Sequence, residues 1–364
     1  LSADPTIAEI RKRAIASSLI TPTTLAHAIA TLGFVQADPI RSPARAQDLI
    51  LRHRVAKYRA GDLERRFARL GIEEDFLYAY GFMPREVSRL LHPRPDPKGL
   101  PHEPTGLAAE VLAFVHERGV VHPQDLLEQF GKERAVNGWG GFSKATTRAL
   151  HTLQFYGLLR VARRREGVRI YEAAHPHDEA IEPAERLRRL LLLVIGILAP
   201  VPQRGLRPTL ALLARGAPGL KGMPAAVQRL LGSGELESAV IDGETYLWPA
   251  HAEGEARQSV GRKLRFLAPF DPIVWDRRRF EHLWGWEYRF EAYTPKKKRR
   301  FGYYAMPLLF ADKVIGWANL SMAKGRLDVD MGFVRAKPKG QDFTRALDAE
   351  MARIEAFLAR DAEG

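Results

Sequence analysis

Leu158-Leu159-Arg160-Val161-Ala162-Arg163-Arg164-Arg165-Glu166-Gly167-Val168-Arg169-Ile170-Tyr171 reads as a β-ribbon. Strands are expected from Leu158 to Arg163 and from Val168 to Tyr171, and Arg164-Arg165-Glu166-Gly167 turns the chain between them. Three helices precede the ribbon. One runs from Leu107 to Arg118, a short one from Pro123 to Phe130, and a third, capped by Ser143, to Tyr156. Three helices and a β-ribbon are the winged-helix order, a relative of the helix-turn-helix. On the third helix Thr146, Ala149, Leu150 and Leu153 share one face at i, i+3, i+4, i+7 spacing and are expected in the core. Lys144, Arg148, His151 and Phe155 share the opposite face, and the ribbon adds Arg163, Arg164 and Arg165. These cations are either a solvated face or a grip on phosphate.

The plan recurs downstream. A helix from Pro183 to Leu198 is followed by helices from Pro208 to Arg215 and from Pro224 to Leu231. A hairpin then joins Leu236–Ile241 to Thr245–Trp248 through Asp242-Gly243, a two-residue turn signal. From about Arg262 strands dominate: Phe266–Phe270, Tyr288–Tyr293, Phe301–Phe310, Lys313–Ala323 and Arg326–Met331 are expected in a small sheet or barrel. Lys296-Lys297-Lys298-Arg299-Arg300 reads as a solvated hairpin tip, and Gln341 to Arg360 as a terminal amphipathic helix. Upstream, the first 92 residues read as helical. Helices are expected at Ile7–Ser18, from Thr21-Pro22 to Leu32, from Ser42-Pro43 to Arg54, from Asp62 to Gly71, and after Pro84. The fold class expected is α+β: tandem winged-helix modules, then a small C-terminal β-domain and a terminal helix. The expected boundaries are 1–100, 101–180, 181–260 and 261–364, the first falling in the Pro93–Gly99 run.

The chain has 364 residues, 46% hydrophobic and 27% charged, enough for two or three cores. Its 56 Lys and Arg against 43 Asp and Glu leave a net +13, which favours a polyanionic partner, nucleic acid before membrane. There is no cysteine, which excludes disulfides, thiolate zinc sites, iron–sulfur clusters and a cysteine nucleophile. Leu1–Arg13 holds no signal-peptide core, and the longest apolar run, Leu190–Ala199, is too short to span a bilayer. A cytoplasmic protein, nucleoid-associated when bound to DNA, is expected.

Between the second and third expected helices lies Phe34-Val35-Gln36-Ala37-Asp38-Pro39, with Gly33 as helix stop. Asp38 precedes proline, which biases it towards extended geometry. Residues two apart in an extended segment point the same way, roughly 6.5–7 Å apart. Gln36 and Asp38 would then face one side, with Val35 and Ala37 on the other. A carboxylate beside an amide can hold one water, the carboxylate accepting its proton and the amide fixing its orientation. The same pair also suits a turn and a cap.

Gly33-Phe34-Val35-Gln36-Ala37-Asp38-Pro39, followed by Ala44-Arg45-Ala46-Gln47-Asp48, resembles the winged-helix DNA glycosylases of the AlkZ/YcaQ type. That family carries a Gln-hydrophobic-Gln or Gln-hydrophobic-Asp catalytic motif at this point. Gln36-Ala37-Asp38 has the Asp form of the YcaQ branch, with alanine as a small middle residue. Pro269–Arg279, Tyr288–Tyr293 and Arg300–Ala305 look like the same branch, so the similarity spans about residues 7 to 360. The resemblance implies hydrolysis of the N-glycosidic bond of alkylated purines, including interstrand crosslinks joined through guanine N7. An N7-alkylated purine is already cationic and leaves without a general acid. Asp38 would take the water's proton and offset charge on the sugar, while Gln36 positions the water. Arg41, Arg45 and Arg54 would hold phosphates around the lesion, keeping Asp38 deprotonated. Gln47, Arg277 and Arg278 join Lys144, Arg148 and Arg163–Arg165 as candidate DNA contacts.

The expected partner is double-stranded DNA carrying alkylated or crosslinked purines, bound by a monomer with no membrane, metal or cofactor. A Schiff-base lysine has no local candidate, Lys57 being the nearest downstream. Trp139, Phe142 and Trp275 are either core or stacking residues. A winged-helix regulator without catalysis fits every basic feature equally well. A nuclease would need clustered carboxylates for magnesium, and Glu73-Glu74-Asp75, the only such run, reads as a solvated helix start.

Overall fold

The computed structural model describes residues 5–136, 142–175, 180–250, 261–323 and 326–359. The fold is α+β, and the chain divides into two compact units. One comprises Leu1–Asp62, Leu191–Leu210 and Pro224–Gly364; the other comprises Leu63–Leu190 and Ala211–Met223.

The second unit holds the first ribbon. Helices Leu107–Arg118, Pro123–Phe130 and Ala145–Phe155 precede strands Leu159–Arg165 and Val168–Ala173. The central strand Val168–Ala173 pairs with Leu159–Arg165 on one side and with the short strand Val120–Val121 on the other. Glu166 and Gly167 both adopt positive φ at the tip, the backbone a two-residue hairpin turn needs. Thr146, Ala149, Leu150 and Leu153 are buried as their spacing requires. A two-stranded insert, Arg134–Val136 with Phe142–Lys144, lies between the second and third helices and was not foreseen. Trp139 lies outside the described residues.

Glu73-Glu74-Asp75 is not a solvated helix start. It lies on strand Ile72–Phe76, paired with Tyr80–Pro84, and all three carboxylates are buried. Burial of three consecutive acids requires cations on both faces of the strand. Glu73 pairs with Arg85 and Arg160, Glu74 with Arg164 and Arg169, and Asp75 with Arg94 and His92. Arg94 also donates to the carbonyls of Phe76, Phe155 and Gly216. These acids are consumed by structural ion pairs, and among the described residues no group of three His, Asp or Glu is placed to hold a metal.

The first unit contains the repeat of the ribbon and the C-terminal sheet. Glu244–Pro249 pairs with Leu236–Ile241 through the Asp242-Gly243 turn and with Val201–Pro202 on its other edge. The helix expected at Pro208–Arg215 is longer, Gln203–Gly216, and accommodates Pro208 within it. The C-terminal sheet is four-stranded and antiparallel, in the order Leu264–Phe266, Met306–Phe310, Lys313–Ala323, Arg326–Phe333. The sheet is open. Tyr288–Tyr293 is not a strand of it, and Phe301–Ala305 is also irregular. Their backbone is held instead by buried Glu291, whose carboxylate accepts the N–H groups of Arg300, Phe301 and Gly302. Tyr288 donates to the Ala305 carbonyl at 2.7 Å, and its ring packs with Trp286 and Phe280. No described helix is long and apolar enough to cross a membrane.

Candidate active site

Thr24, not Thr21, caps the helix Leu25–Leu32. Gly33 ends it in the left-handed conformation, φ 68°, and a Cβ there would also collide with Leu193. The chain leaves this stop as the short strand Val35–Gln36. Val35 is buried, while Gln36 and Asp38 are half-buried. The helix expected from Ser42 begins only at Ala46. Ser42 does not cap it: its hydroxyl donates to the Leu320 carbonyl, 3.5 Å away on the C-terminal sheet. The Gln36–Asp38 segment is thus clamped between a glycine stop and a loop fastened to the sheet.

Trp275 fixes Gln36. Its indole Nε1 donates to the Gln36 amide oxygen at 2.9 Å. An indole N–H can only donate, so the oxygen is held there and the NH₂ is the half of the amide that stays available. Trp275 in turn ends a one-turn helix, Pro272–Trp275, capped by Asp271. The electrostatic surroundings of Asp38 differ from expectation. One carboxylate oxygen accepts the Ile40 N–H at 2.9 Å, and the Asp38 N–H points at the Gln47 side-chain oxygen 3.4 Å away. Among the described residues Asp38 has no ion-pair partner. Burial pushes its pKa up, and the Ile40 N–H opposes this only in part. The expected ring of arginines holding it deprotonated is absent from these influences.

Arg54 shows why. It is fully buried and bidentate on Asp271, at 2.8 and 3.0 Å, and it also donates to Ser18 and Ile50. It cannot reach a phosphate; it joins three segments of the first unit. Gln47 is likewise buried and serves the Asp38 backbone, so it too is unavailable to DNA. Arg164 is corrected for the same reason, being spent on Glu74 at 2.8 Å. Arg277 is largely enclosed, donating to the Pro269 carbonyl at 2.7 Å with its guanidinium 4.6 Å from the centre of the Tyr288 ring. Arg45 is half-buried at the start of helix Ala46–Leu51. Arg41, Lys144, Arg148, Arg163, Arg165 and Arg278 are exposed.

Two tyrosines that sequence reasoning did not place lie within the field of the carboxylate. The negative charge of Asp38 reaches the hydroxyls of Tyr293 and Tyr304, raising the pKa of each after burial. Phe290 makes edge-on contacts with Tyr304, Phe270 and Tyr293, at 5.5, 5.0 and 6.1 Å between ring centres. A cleft of about 770 Å³ opens beside Phe290 and is lined by Arg278, Arg289, Lys298 and Arg300 and by Glu281 and Glu287, the last paired with Arg289 and Arg300. The Lys296–Arg300 run is therefore not a hairpin tip; it forms a turn on the wall of this cleft.

An amide and, two residues on, a partly buried carboxylate with no ion-pair partner among the described residues, near tyrosine rings, can activate a water beside a cationic or sugar-like group. Residues 29–357 match the sequence profile of the AlkZ-like DNA glycosylases. The chain belongs to the AlkZ-like DNA glycosylase family. It is a DNA N-glycosylase. The fold is also that of the Streptomyces sahachiroi DNA glycosylase AlkZ, with a TM-score of 0.65 and 14% sequence identity over 98% of this chain and 97% of that one. Membership turns the winged-helix ribbons into parts of an enzyme acting on DNA, and a regulator without catalysis is set aside.

Proposed function

We propose that this AlkZ-like glycosylase is monofunctional and releases N-alkylated purines, N7-alkylguanine and N7-linked interstrand crosslinks among them, with Asp38 and Gln36 as its catalytic pair. The observation that carries the reading is the state of Asp38: half-buried, without a counter-ion among the described residues, on the same short segment as an amide locked by Trp275. A carboxylate left unpaired in a partly dry site is poised for a cation, and an N7-alkylated purine is one. As the C1′–N9 bond breaks, its electrons pass to the purine and neutralise it. Positive charge moves to the sugar as an oxocarbenium, which the Asp38 carboxylate offsets. Water held by the Gln36 NH₂ attacks C1′ through its remaining lone pair and gives its proton to Asp38. The raised pKa makes Asp38 a better base than an ordinary surface aspartate. The products are a neutral alkylpurine and an abasic site.

Arg41, Arg278 and Lys298 hold the strand that bears the lesion, and exposed Arg163 and Arg165 also grip phosphate. The enzyme acts as a monomer, since one chain supplies both catalytic residues and Trp275, and it works on DNA in the cytoplasm. Incubation with N7-methylguanine duplex in EDTA, followed by alkali, tests the reading. Strand breaks at the lesion are expected. Breaks before alkali treatment, or breaks that require magnesium, would overturn it.

A further inference from the structure

Tyr293 is 81% exposed, the most exposed large hydrophobic side chain among the described residues. Single exposed aromatics are ordinary on protein surfaces. This one differs in its mounting and its neighbour. Thr294 N–H donates to the Glu291 carbonyl at 3.0 Å, and Arg299 Nε to the Thr294 carbonyl at 2.7 Å, so a closed turn carries the ring. Glu291 itself is buried and pinned by the backbone of 300–302. One edge of the ring rests on Phe290, which rests on buried Tyr304 and on Phe270. The side chain is thus held out to solvent by a rigid base, within the field of the Asp38 carboxylate. The loop that follows Asp38 is tied to the same wall: Ser42 bonds Leu320, and the adjacent Asn319 holds Phe301 and Tyr304.

We propose that Tyr293 is a specificity-determining residue whose exposed ring face stacks on the positively charged purine while its glycosidic bond lies at Asp38. This rests on the reading of Asp38 given above. A carboxylate acting at C1′ places the attached base within reach of the aromatic side chains around it. An electron-rich phenol face attracts a cation and tolerates any planar base, and a preformed mount limits the entropy lost on stacking. Discrimination then comes from charge: a cationic alkylpurine gains at Tyr293, and a neutral purine of the same shape gains only dispersion. The hydroxyl is not needed, so phenylalanine should serve nearly as well.

The test is binding, separated from excision. Duplexes carry one 2′-fluoro-N7-methylguanine, a cationic nucleotide with a stabilised glycosidic bond, or one 7-methyl-7-deazaguanine, its neutral isostere. The full-length protein should prefer the cationic duplex by about three- to thirtyfold, the span of a cation–aromatic contact. Tyr293→Ala should lose that preference with an unchanged melting temperature, and Tyr293→Phe should keep most of it. Equal binding of the two duplexes by the wild type, or a preference retained by Tyr293→Ala, would overturn the proposal. Excision of cleavable N7-methylguanine by wild type and Asp38→Asn is followed in parallel. Asp38-dependent excision alongside either overturning result removes only the role of Tyr293; absence of excision by the wild type removes the catalytic reading.

Discussion

Trp275 and Gln36, 239 residues apart, are joined by a 2.9 Å hydrogen bond that sets which end of the Gln36 amide stays available. A side chain of the C-terminal half therefore orients a residue on the first strand of the chain. Trp275→Phe keeps an aromatic ring and removes the donor. The amide can then flip and present its oxygen, which cannot donate to the water. Single-turnover excision should fall about two- to tenfold, the value of one net hydrogen bond, with DNA affinity unchanged. An unaltered rate would show that the indole N–H does not set the amide.

Asp38 predicts a pH profile. Its pKa lies above the usual carboxylate range because of burial. The ionised form is the base, so excision, corrected for spontaneous depurination, should rise with pH through an inflection above that of an ordinary aspartate and then level off. The sign for stability is opposite. A raised folded pKa means the Asp38 contribution to stability is present at low pH and is lost as pH rises through that pKa. Asp38→Asn should therefore melt no lower than wild type at neutral pH. A clear drop in its melting temperature would show that the ionised carboxylate supports the fold.

Arg54 predicts the reverse pattern. Its guanidinium and Asp271 are both completely buried. Arg54→Ala leaves a buried carboxylate without its partner and should cost about 3–5 kcal/mol of stability. The fraction that remains folded should bind DNA with wild-type affinity and salt dependence. Weaker binding at full stability would restore Arg54 to the DNA surface.

The first ribbon's three arginines should separate in the same way. Arg163→Ala with Arg165→Ala removes two exposed charges, and should weaken duplex binding and reduce its salt slope by about two, at little cost in stability. Arg164→Ala should instead destabilise the protein, because buried Glu74 loses a partner at 2.8 Å. Unchanged DNA affinity in the double variant would move the DNA path off this ribbon.

Arg54 and Arg164 also mark how far the sequence could be read. Local signals were legible: Gly33 as a helix stop, a turn ending at Gly167 after the strand that proved to run to Arg165, the Asp242-Gly243 turn, the buried face of Ala145–Phe155, and the extended link at Val35–Gln36. The ribbons followed from these, because caps and turns act over a few residues. What escaped depended on distant partners. Glu73-Glu74-Asp75 looks solvated until Arg94, Arg160, Arg164 and Arg169 are brought against it. Tyr288–Tyr293 alternates like a strand, yet Glu291 spends its carboxylate on the loop 300–302 and no strand forms. A positive charge near a motif does not reveal whether a carboxylate such as Asp271 has already claimed it. Tyr293 gave no sequence signal beyond lying next to the Lys296–Arg300 run.

Asp38 carries the proposed reaction. Its most direct measurement is the single-turnover rate of N7-methylguanine release by wild type, Gln36→Ala and Asp38→Asn. Asparagine keeps the shape and can still accept the Ile40 N–H, but it carries no charge and takes no proton. The account predicts a loss of about 10²–10⁴-fold for Asp38→Asn, a smaller loss for Gln36→Ala, and preserved folding and duplex binding in both. Near-wild-type release by Asp38→Asn would contradict it and reduce Asp38 to a turn residue.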